Sequence, residues 1–299
     1  MPDFTFTPTN RLHEERTHRI YSLLHHGDVA KDKSPARALA YALAHHSLEG
    51  SEAAARAGDA ATFDWYANQP LTEMRGIFTL TVAGPRVVVS PELDQLPRSP
   101  ISETPYYVIG DQTQPPPAET QTLAAGAFAV ASDAGFGELL HQHAVVMCLL
   151  RSKSLGQTLD SWTITRLPGT VFMDHVNDPV ILGRDLIHEA GHNWLNDALT
   201  ATDTKIDDQS YFWSPWKQSQ RPAFGFIHAC WAFPLTMIYS AWARDKAEPE
   251  IAEFLTTYLN KQRPLLAETS ADHQQAMKLI PDQGLRERLI AVYEQALTL

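Results

Sequence analysis

Two histidines four residues apart, His188 and His192, have the spacing that metal chemistry needs. Glu189 follows the first of them, which gives the pattern HExxH. Because an α-helix has about 3.6 residues per turn, side chains four residues apart lie above one another on one face, and both imidazoles could bind one divalent ion. Two such rings on a buried face would be costly to desolvate without a partner. The pattern therefore predicts a metal site on a helix.

The residues before the motif predict where this helix begins. Asn177-Asp178-Pro179 supplies an N-cap side chain followed by proline at the first helical position. Apolar residues then recur at helical spacing and would form the buried face, namely Val180, Ile181, Ile187, Trp194, Leu195 and Leu199. We expect a helix over about residues 179–199.

The third protein ligand has two candidate sources. A thermolysin-like zinc peptidase takes a glutamate from a second helix, but no Glu occurs between Glu189 and Glu248. His228 lies in an apolar segment that predicts a buried helix. A histidine is seldom buried there unless its ring has a binding partner. We expect His228 to be the ligand. A polar loop holds the alternatives, Asp203, Asp207 and Asp208.

Several ordered features extend the motif, and together they resemble a known family. They are HExxH, Ser214-Pro-Trp216, Arg221-Pro222, Gly225-x-x-His228 and Ala232-Phe233. Over roughly residues 160–245 the chain resembles the HExxH-type 2-oxoglutarate-dependent peptide β-hydroxylases of ribosomally made natural-product pathways. The resemblance implies a mononuclear Fe(II) enzyme that uses 2-oxoglutarate and O₂. Its substrate would be a precursor peptide, hydroxylated at the β-carbon of one residue.

The resemblance also implies roles for further residues. The distal carboxylate of 2-oxoglutarate needs a cation, and Arg221 is the candidate because guanidinium pairs bidentately with carboxylate. Arg184 and Arg166 are next in line. Glu189 would orient a ligand or a water from outside the set of direct ligands. Three aromatic residues would line the peptide site or instead belong to the core, namely Tyr211, Trp213 and Trp216.

Two other interpretations of the motif remain open. In a zinc metallopeptidase, HExxH would hold Zn and Glu189 would be the catalytic base that activates water. In a purely structural site, four protein ligands would leave no open position on the metal. Turnover that depends on iron would separate the oxygenase from both.

The composition is that of a globular protein with no affinity for polyanions. The 299 residues are 44% hydrophobic and 20% charged, enough for a sizeable core. A formal net charge of −11 without any basic run argues against nucleic acid or an anionic membrane as partner. No signal peptide is evident at the N-terminus, and no apolar run approaches the roughly 20 residues of a spanning helix. We expect a cytoplasmic protein whose cysteines, Cys148 and Cys230, are free and buried in helices.

The pattern over the whole chain predicts one domain of the α+β class. It should be predominantly α-helical, with a small antiparallel sheet next to the HExxH helix. The parts are a helical region 1–75, a mixed region 76–175, a metal-site helical core 176–245 and C-terminal helices 246–299.

The strands that the pattern predicts lie in the mixed region. Residues 77–89 predict a hairpin folded at Gly84-Pro85, and residues 162–173 predict a second hairpin. Residues 106–109 predict a further strand, whereas the apolar stretch 133–154 predicts a helix.

The histidines that come in close pairs elsewhere in the chain are weak candidates for metal ligands. His141 and His143 are two residues apart and face different ways on a helix. The adjacent pairs at 25–26 and 45–46 point about 100° apart, so neither pair can chelate one ion. We expect these pairs at helix ends, exposed to solvent or stabilised by the helix dipole.

Overall fold

The computed structural model describes residues 2–24, 37–99, 103–207 and 209–299. Its helices are α1 (Thr7–Leu23), α2 (Arg37–Ala57), α3 (Ala60–Asn68), α4 (Ala118–Ala131), α5 (Gly137–His143), α6 (Pro179–Ala201), α7 (Ala223–Arg244), α8 (Pro249–Glu268), α9 (Ser270–Ala276) and α10 (Gln283–Leu297). Its strands are β1 (Phe78–Thr81), β2 (Gly84–Val89), β3 (Val146–Ser152), β4 (Ser161–Trp162), β5 (Thr170–His175), β6 (Tyr211–Ser214) and β7 (Ser219–Pro222). The predicted class, a predominantly helical α+β protein, is confirmed.

The larger sheet is mixed, although we predicted an antiparallel one. Its strand order is β1-β2-β3-β5-β4, in which β2, β3 and β5 run parallel and the edge strands pair antiparallel. The difference arises in residues 133–154, predicted as one helix, whose second half forms the central strand β3. A parallel strand buried on both faces is a continuous apolar run, which periodicity cannot tell from a buried helix. Cys148 accordingly lies in a strand, while both cysteines are free and buried as predicted.

Both predicted hairpins are present. β1 pairs antiparallel with β2, and the connecting residues are Val82 and Ala83, just before the expected turn at Gly84-Pro85. β4 pairs antiparallel with β5. Residues 106–109 do not form the predicted strand; the N–H of Tyr106 donates to the carbonyl of Pro97, and the backbone of Ile109 is bonded to side chains. Tyr66 Oη, for example, donates a hydrogen bond to the carbonyl of Ile109 at 2.8 Å.

The metal-motif helix α6 begins where its sequence predicted. The carboxylate of Asp178 accepts hydrogen bonds from the backbone N–H groups of Val180 and Ile181, both at 2.9 Å, and Pro179 is the first helical residue. These contacts satisfy amides that the first helical turn leaves unpaired. The predicted helix over 179–199 is confirmed, with two further residues at its end.

Helix α7 packs closely against α6 at a glycine of the motif. The rings of Trp194 and Trp231 stack with centroids 4.7 Å apart, and both side chains are fully buried. Trp231 Nε1 donates to the carbonyl of Gly191 at 2.9 Å. A Cβ atom at Gly191 would lie only 2.9 Å from Leu235 Cδ1. Gly191 therefore permits the approach of the two helices that carry His192 and His228.

Two helical stretches are long and apolar enough to cross a membrane by length and composition, Ala118–His143 and Ala223–Arg244. This corrects the expectation that no apolar run approaches such a length. In the second stretch 83% of the apolar window is buried inside the protein, and in the first 44%. Long apolar helices also form the cores of soluble proteins.

The histidine pair at 45–46 differs from the exposed pair that we expected. His46 is fully buried. Its Nδ1 accepts a hydrogen bond from the N–H of Ile109 at 3.2 Å, and its Nε2 lies 2.9 Å from Thr170 Oγ1. Burial lowers the pKa of His46 to about 3. The expectation failed because α2 packs against the sheet at this point. The other pair, at 25–26, lies outside the described residues.

The burial of His46 predicts a loss of stability in mild acid. The folded state keeps the ring neutral, whereas the unfolded chain takes up a proton near pKa 6.5, so the free energy of unfolding should fall as pH decreases from about 6.5 towards 3. One such group contributes a slope of up to about 1.4 kcal/mol per pH unit. His46→Gln should reduce this slope in urea unfolding between pH 7 and pH 5, and His18→Gln, at an exposed position, should not. An equal slope in both variants would contradict the prediction.

Candidate metal centre

His188 and His192 meet through their Nε2 atoms, which lie 3.2 Å apart. Two nitrogens bound to one ion at about 2.0–2.1 Å would lie roughly 2.9–3.4 Å apart for bond angles between about 90° and 109°. The rings are perpendicular, with an interplanar angle of 88°, and both are half-buried. The observed spacing therefore fits chelation of one ion by this histidine pair.

Glu189 is close enough to belong to the same site. One ligand atom each from His188, Glu189 and His192 lies within 4.8 Å of the others. Glu189 is 2% exposed; its Oε1 accepts a hydrogen bond from Ser161 Oγ at 2.6 Å, and its Oε2 has no hydrogen-bond partner among the described residues. Burial raises the pKa of Glu189 to about 8. Glu189 Oε2 can therefore carry a proton, accept a hydrogen bond from a water or bind a cation. No spacing pattern connects Ser161 with the motif, so sequence reasoning missed it.

His228 lies on α7 against the opposite side of the His192 ring. His228 Nδ1 is 3.0 Å from His192 Nδ1. Its Nε2 is buried, and no group in the described part of the chain hydrogen-bonds to it. His192 thus meets His188 with one ring nitrogen and His228 with the other. The ligand atoms of His188, Glu189 and His192 lie within 4.8 Å of one another, and His228 is not part of this group. In this ring orientation His228 therefore contacts the histidine pair through the His192 ring.

All three histidines are held neutral. Burial lowers the pKa of His188 and His228 well below the usual value and that of His192 to about 4. The charge of Arg221 adds to this effect at His192 and His228. A neutral imidazole offers the lone pair that a metal needs, so the three rings are in the state that binds a cation.

Arg221 lies beside the histidines at the end of β7. A Cβ atom at Gly225 would be 2.8 Å from an Nη atom of Arg221, so this glycine makes room for the guanidinium. In the described part of the chain no carboxylate forms an ion pair with it. Arg221 is therefore placed to hold an anion close to His192 and His228.

The two alternative arginines are already paired. Arg184 Nη2 lies 2.6 Å from Asp185 Oδ1, and the Arg184 guanidinium stacks over the ring of Tyr258. Arg166 Nη2 lies 2.7 Å from Glu49 Oε2. Each of these cations would have to exchange a protein carboxylate for a ligand, whereas Arg221 has no such carboxylate among the described residues.

The predicted aromatic residues differ in how closely they approach the centre. Trp216 stacks on Phe233 with centroids 4.6 Å apart, and the Phe233 ring lies 5.2 Å from that of His188. Trp213 and Tyr211 are 37% and 55% exposed on the β6 strand. Trp216 is therefore separated from His188 by the ring of Phe233. Tyr211 and Trp213 form an exposed surface on the β6-β7 hairpin.

The two loop aspartates that the structure describes, Asp203 and Asp207, do not join the histidines. The side chain of Asp203 is 91% exposed and lies 3.8 Å from Lys205 Nζ. The carboxylate of Asp207 accepts a hydrogen bond from the N–H of Gln209. Asp208 lies outside the described residues. Asp203 and Asp207 thus have the solvated turn contacts typical of a polar loop.

A second buried group of ligand-type side chains consists of His13, His143 and Asp197. Burial alone would raise the pKa of Asp197, but contacts with His13 and His143 bring it below its usual value. Burial lowers the pKa of His143. We expected His143 to be a weak ligand candidate on a helix. Its partners are distant in sequence, and no motif marks them.

No protein-family model matches the chain, and a search of the curated proteins gives no match. The function is therefore inferred from the geometry of the histidine pair and of the residues around it.

Proposed function

We propose that the protein is an Fe(II)- and 2-oxoglutarate-dependent oxygenase that hydroxylates a β-carbon in a ribosomally made precursor peptide. The observation that carries the proposal is the histidine pair His188 and His192, spaced for chelation, with Arg221 beside it, which no carboxylate of the described residues pairs. The ordered resemblance of residues 160–245 supports it. We further propose that the protein acts in the cytoplasm and binds neither nucleic acid nor membrane.

His188 and His192 would hold the ion, with His228 as the third ligand. Three protein ligands on one face of the ion leave positions for a bidentate co-substrate and O₂. Glu189 is the competitor for the third position, because its carboxylate lies in the group within 4.8 Å while His228 faces the other nitrogen of His192. When bound, iron and 2-oxoglutarate supply the activation of O₂.

The chain itself would position the reactants. Arg221 would bind the distal carboxylate of 2-oxoglutarate through a charge-assisted pair of hydrogen bonds. The stacked rings of Trp216 and Phe233 would exclude water on the side of His188. Tyr211 and Trp213, exposed on the neighbouring hairpin, would contact the peptide.

The reaction tests the proposal directly. With Fe(II), 2-oxoglutarate and O₂, we expect the protein to add one oxygen atom to its peptide without cleaving it and to release succinate in equal amount. A test without peptide is the anaerobic addition of 2-oxoglutarate to the Fe(II) protein, which should produce a visible charge-transfer band. Omitting O₂ should stop hydroxylation and leave the band. Peptide fragments that form without succinate would overturn the proposal.

A zinc metallopeptidase is the second candidate, favoured by one observation at Glu189. Its buried carboxyl has a pKa of about 8 and an oxygen without a described partner. A base with a pKa near the working pH is what the activation of water requires. This enzyme would hydrolyse peptides with Zn bound, ignore 2-oxoglutarate and keep its activity without O₂.

A further inference from the structure

The group formed by His13, His143 and Asp197 joins three helices. His13 lies on α1, His143 at the end of α5 and Asp197 on α6. Asp197 is five residues beyond His192, which places it about 140° around the helix and about 7.5 Å further along it. The group is therefore separate from the HExxH centre, although both use α6.

The three side chains are buried and close together. None is more than 3% exposed, and their ligand atoms all lie within 4.8 Å of one another. His13 Nε2 is 2.8 Å from Asp197 Oδ2, and His143 Nδ1 is 3.4 Å from the same oxygen. Two imidazole nitrogens and one carboxylate oxygen thus converge in the interior.

His143 lacks the contacts that a buried histidine normally has. Its Nε2 has no hydrogen-bond partner among the residues that the structure describes, and its Nδ1 makes only the long 3.4 Å contact with Asp197 Oδ2. His46 is buried to the same degree, but both of its nitrogens are bonded. A buried polar group without a partner costs free energy, and it indicates a water or an ion that belongs at that position.

Tyr41 fixes the other two members. Its hydroxyl donates to Asp197 Oδ1 at 3.1 Å, which leaves Oδ2 towards the histidines. Its ring stacks on His13 with centroids 3.9 Å apart and an interplanar angle of 15°. Outer contacts of this kind typically hold the ligands of a metal in place.

A cavity lies next to the group, and of the three ligand residues Asp197 lines it. The cavity has a volume of about 460 Å³, and Arg16, Asn193 and Asn196 also line it. It has room for a water that could complete the coordination of an ion.

We propose that His13, His143 and Asp197 form a second metal site, which holds a structural divalent ion of the zinc class. A set of two nitrogens and one oxygen suits Zn²⁺, which binds such atoms at about 2.0–2.2 Å, with water as the fourth ligand. The ion would fasten α1 and α5 to the motif helix. This site does not depend on the oxygenase proposal.

The metal content of the full-length chain tests the site. In a His188→Ala/His192→Ala variant the first centre is lost, and after exposure to zinc and gel filtration we expect about one zinc per chain. Adding His143→Gln should reduce the zinc to a small fraction and lower the Tm. Adding His46→Gln instead should lower the Tm and leave the zinc unchanged. A folded double variant without zinc, or zinc unaffected by His143→Gln, would overturn the site.

A second measurement keeps the proposal testable if the His143→Gln variant does not fold. Crystals of the His188→Ala/His192→Ala variant should show anomalous scattering at the zinc edge between His13, His143 and Asp197. A water molecule at that position, or no anomalous peak there, would show that the cluster holds no metal.

Discussion

His188→Ala and His192→Ala should each abolish tight iron(II) binding, and with it turnover that depends on 2-oxoglutarate. The two Nε2 atoms, 3.2 Å apart, would be the chelating pair, and either variant would leave a single nitrogen of that pair. Loss of an outer contact to a ligand already costs about 10- to 100-fold in metal affinity, so we expect loss of a direct ligand to cost more. Iron content after anaerobic reconstitution, measured together with succinate release, checks the prediction.

The same measurement with other histidine variants identifies the third ligand. His18→Ala, at an exposed position on α1, should keep both iron and activity. His228→Ala should lose iron while Glu189→Gln keeps it, if His228 is the third ligand. The reverse pattern would assign that position to Glu189. Full iron and activity in His188→Ala would contradict the site as a whole.

Arg221→Ala should raise the concentration of 2-oxoglutarate required for turnover about ten- to hundredfold, with iron binding retained. The estimate corresponds to the loss of a charge-assisted hydrogen-bonded contact, worth about 1.5–3 kcal/mol. Titration of the charge-transfer band measures this binding without the peptide. Arg221→Lys should be intermediate, because an ammonium keeps the charge but not the bidentate geometry.

Arg166→Ala is the matched control, because this exposed arginine is already paired with the buried Glu49. It should leave the 2-oxoglutarate requirement unchanged. If Arg221→Ala also leaves the 2-oxoglutarate requirement unchanged, we would assign the distal carboxylate to Arg184 instead. A substitution of Arg184 would at the same time disturb its buried ion pair with Asp185.

Local signals made the motif helix predictable. Asp178 and Pro179 mark its beginning, and the four-residue spacing of His188 and His192 follows directly from helical geometry. Strand β3 was missed because a short apolar run carries no period that separates a buried strand from a helix. The mixed sheet follows from that one strand.

Contacts between distant residues could not be predicted from the pattern. Ser161 reaches Glu189 only because the edge strand β4 lies over α6. His13 and Asp197 are separated by 184 positions, and their contact depends on how α1 packs on α6. Such pairs have no spacing rule, because the fold and not the local chain brings them together.

The close contact at Gly191 limits what can be transplanted to another protein. The HExxH pattern allows any residue at its two middle positions. In this protein the second of them is Gly191, and a side chain there would occupy space that α7 takes up. Grafting the five residues onto a surface helix would reproduce the histidine pair but not the neighbouring His228 ring. An engineer who wants this centre must move α6 and α7 as a pair, with the glycine that sets the distance between them.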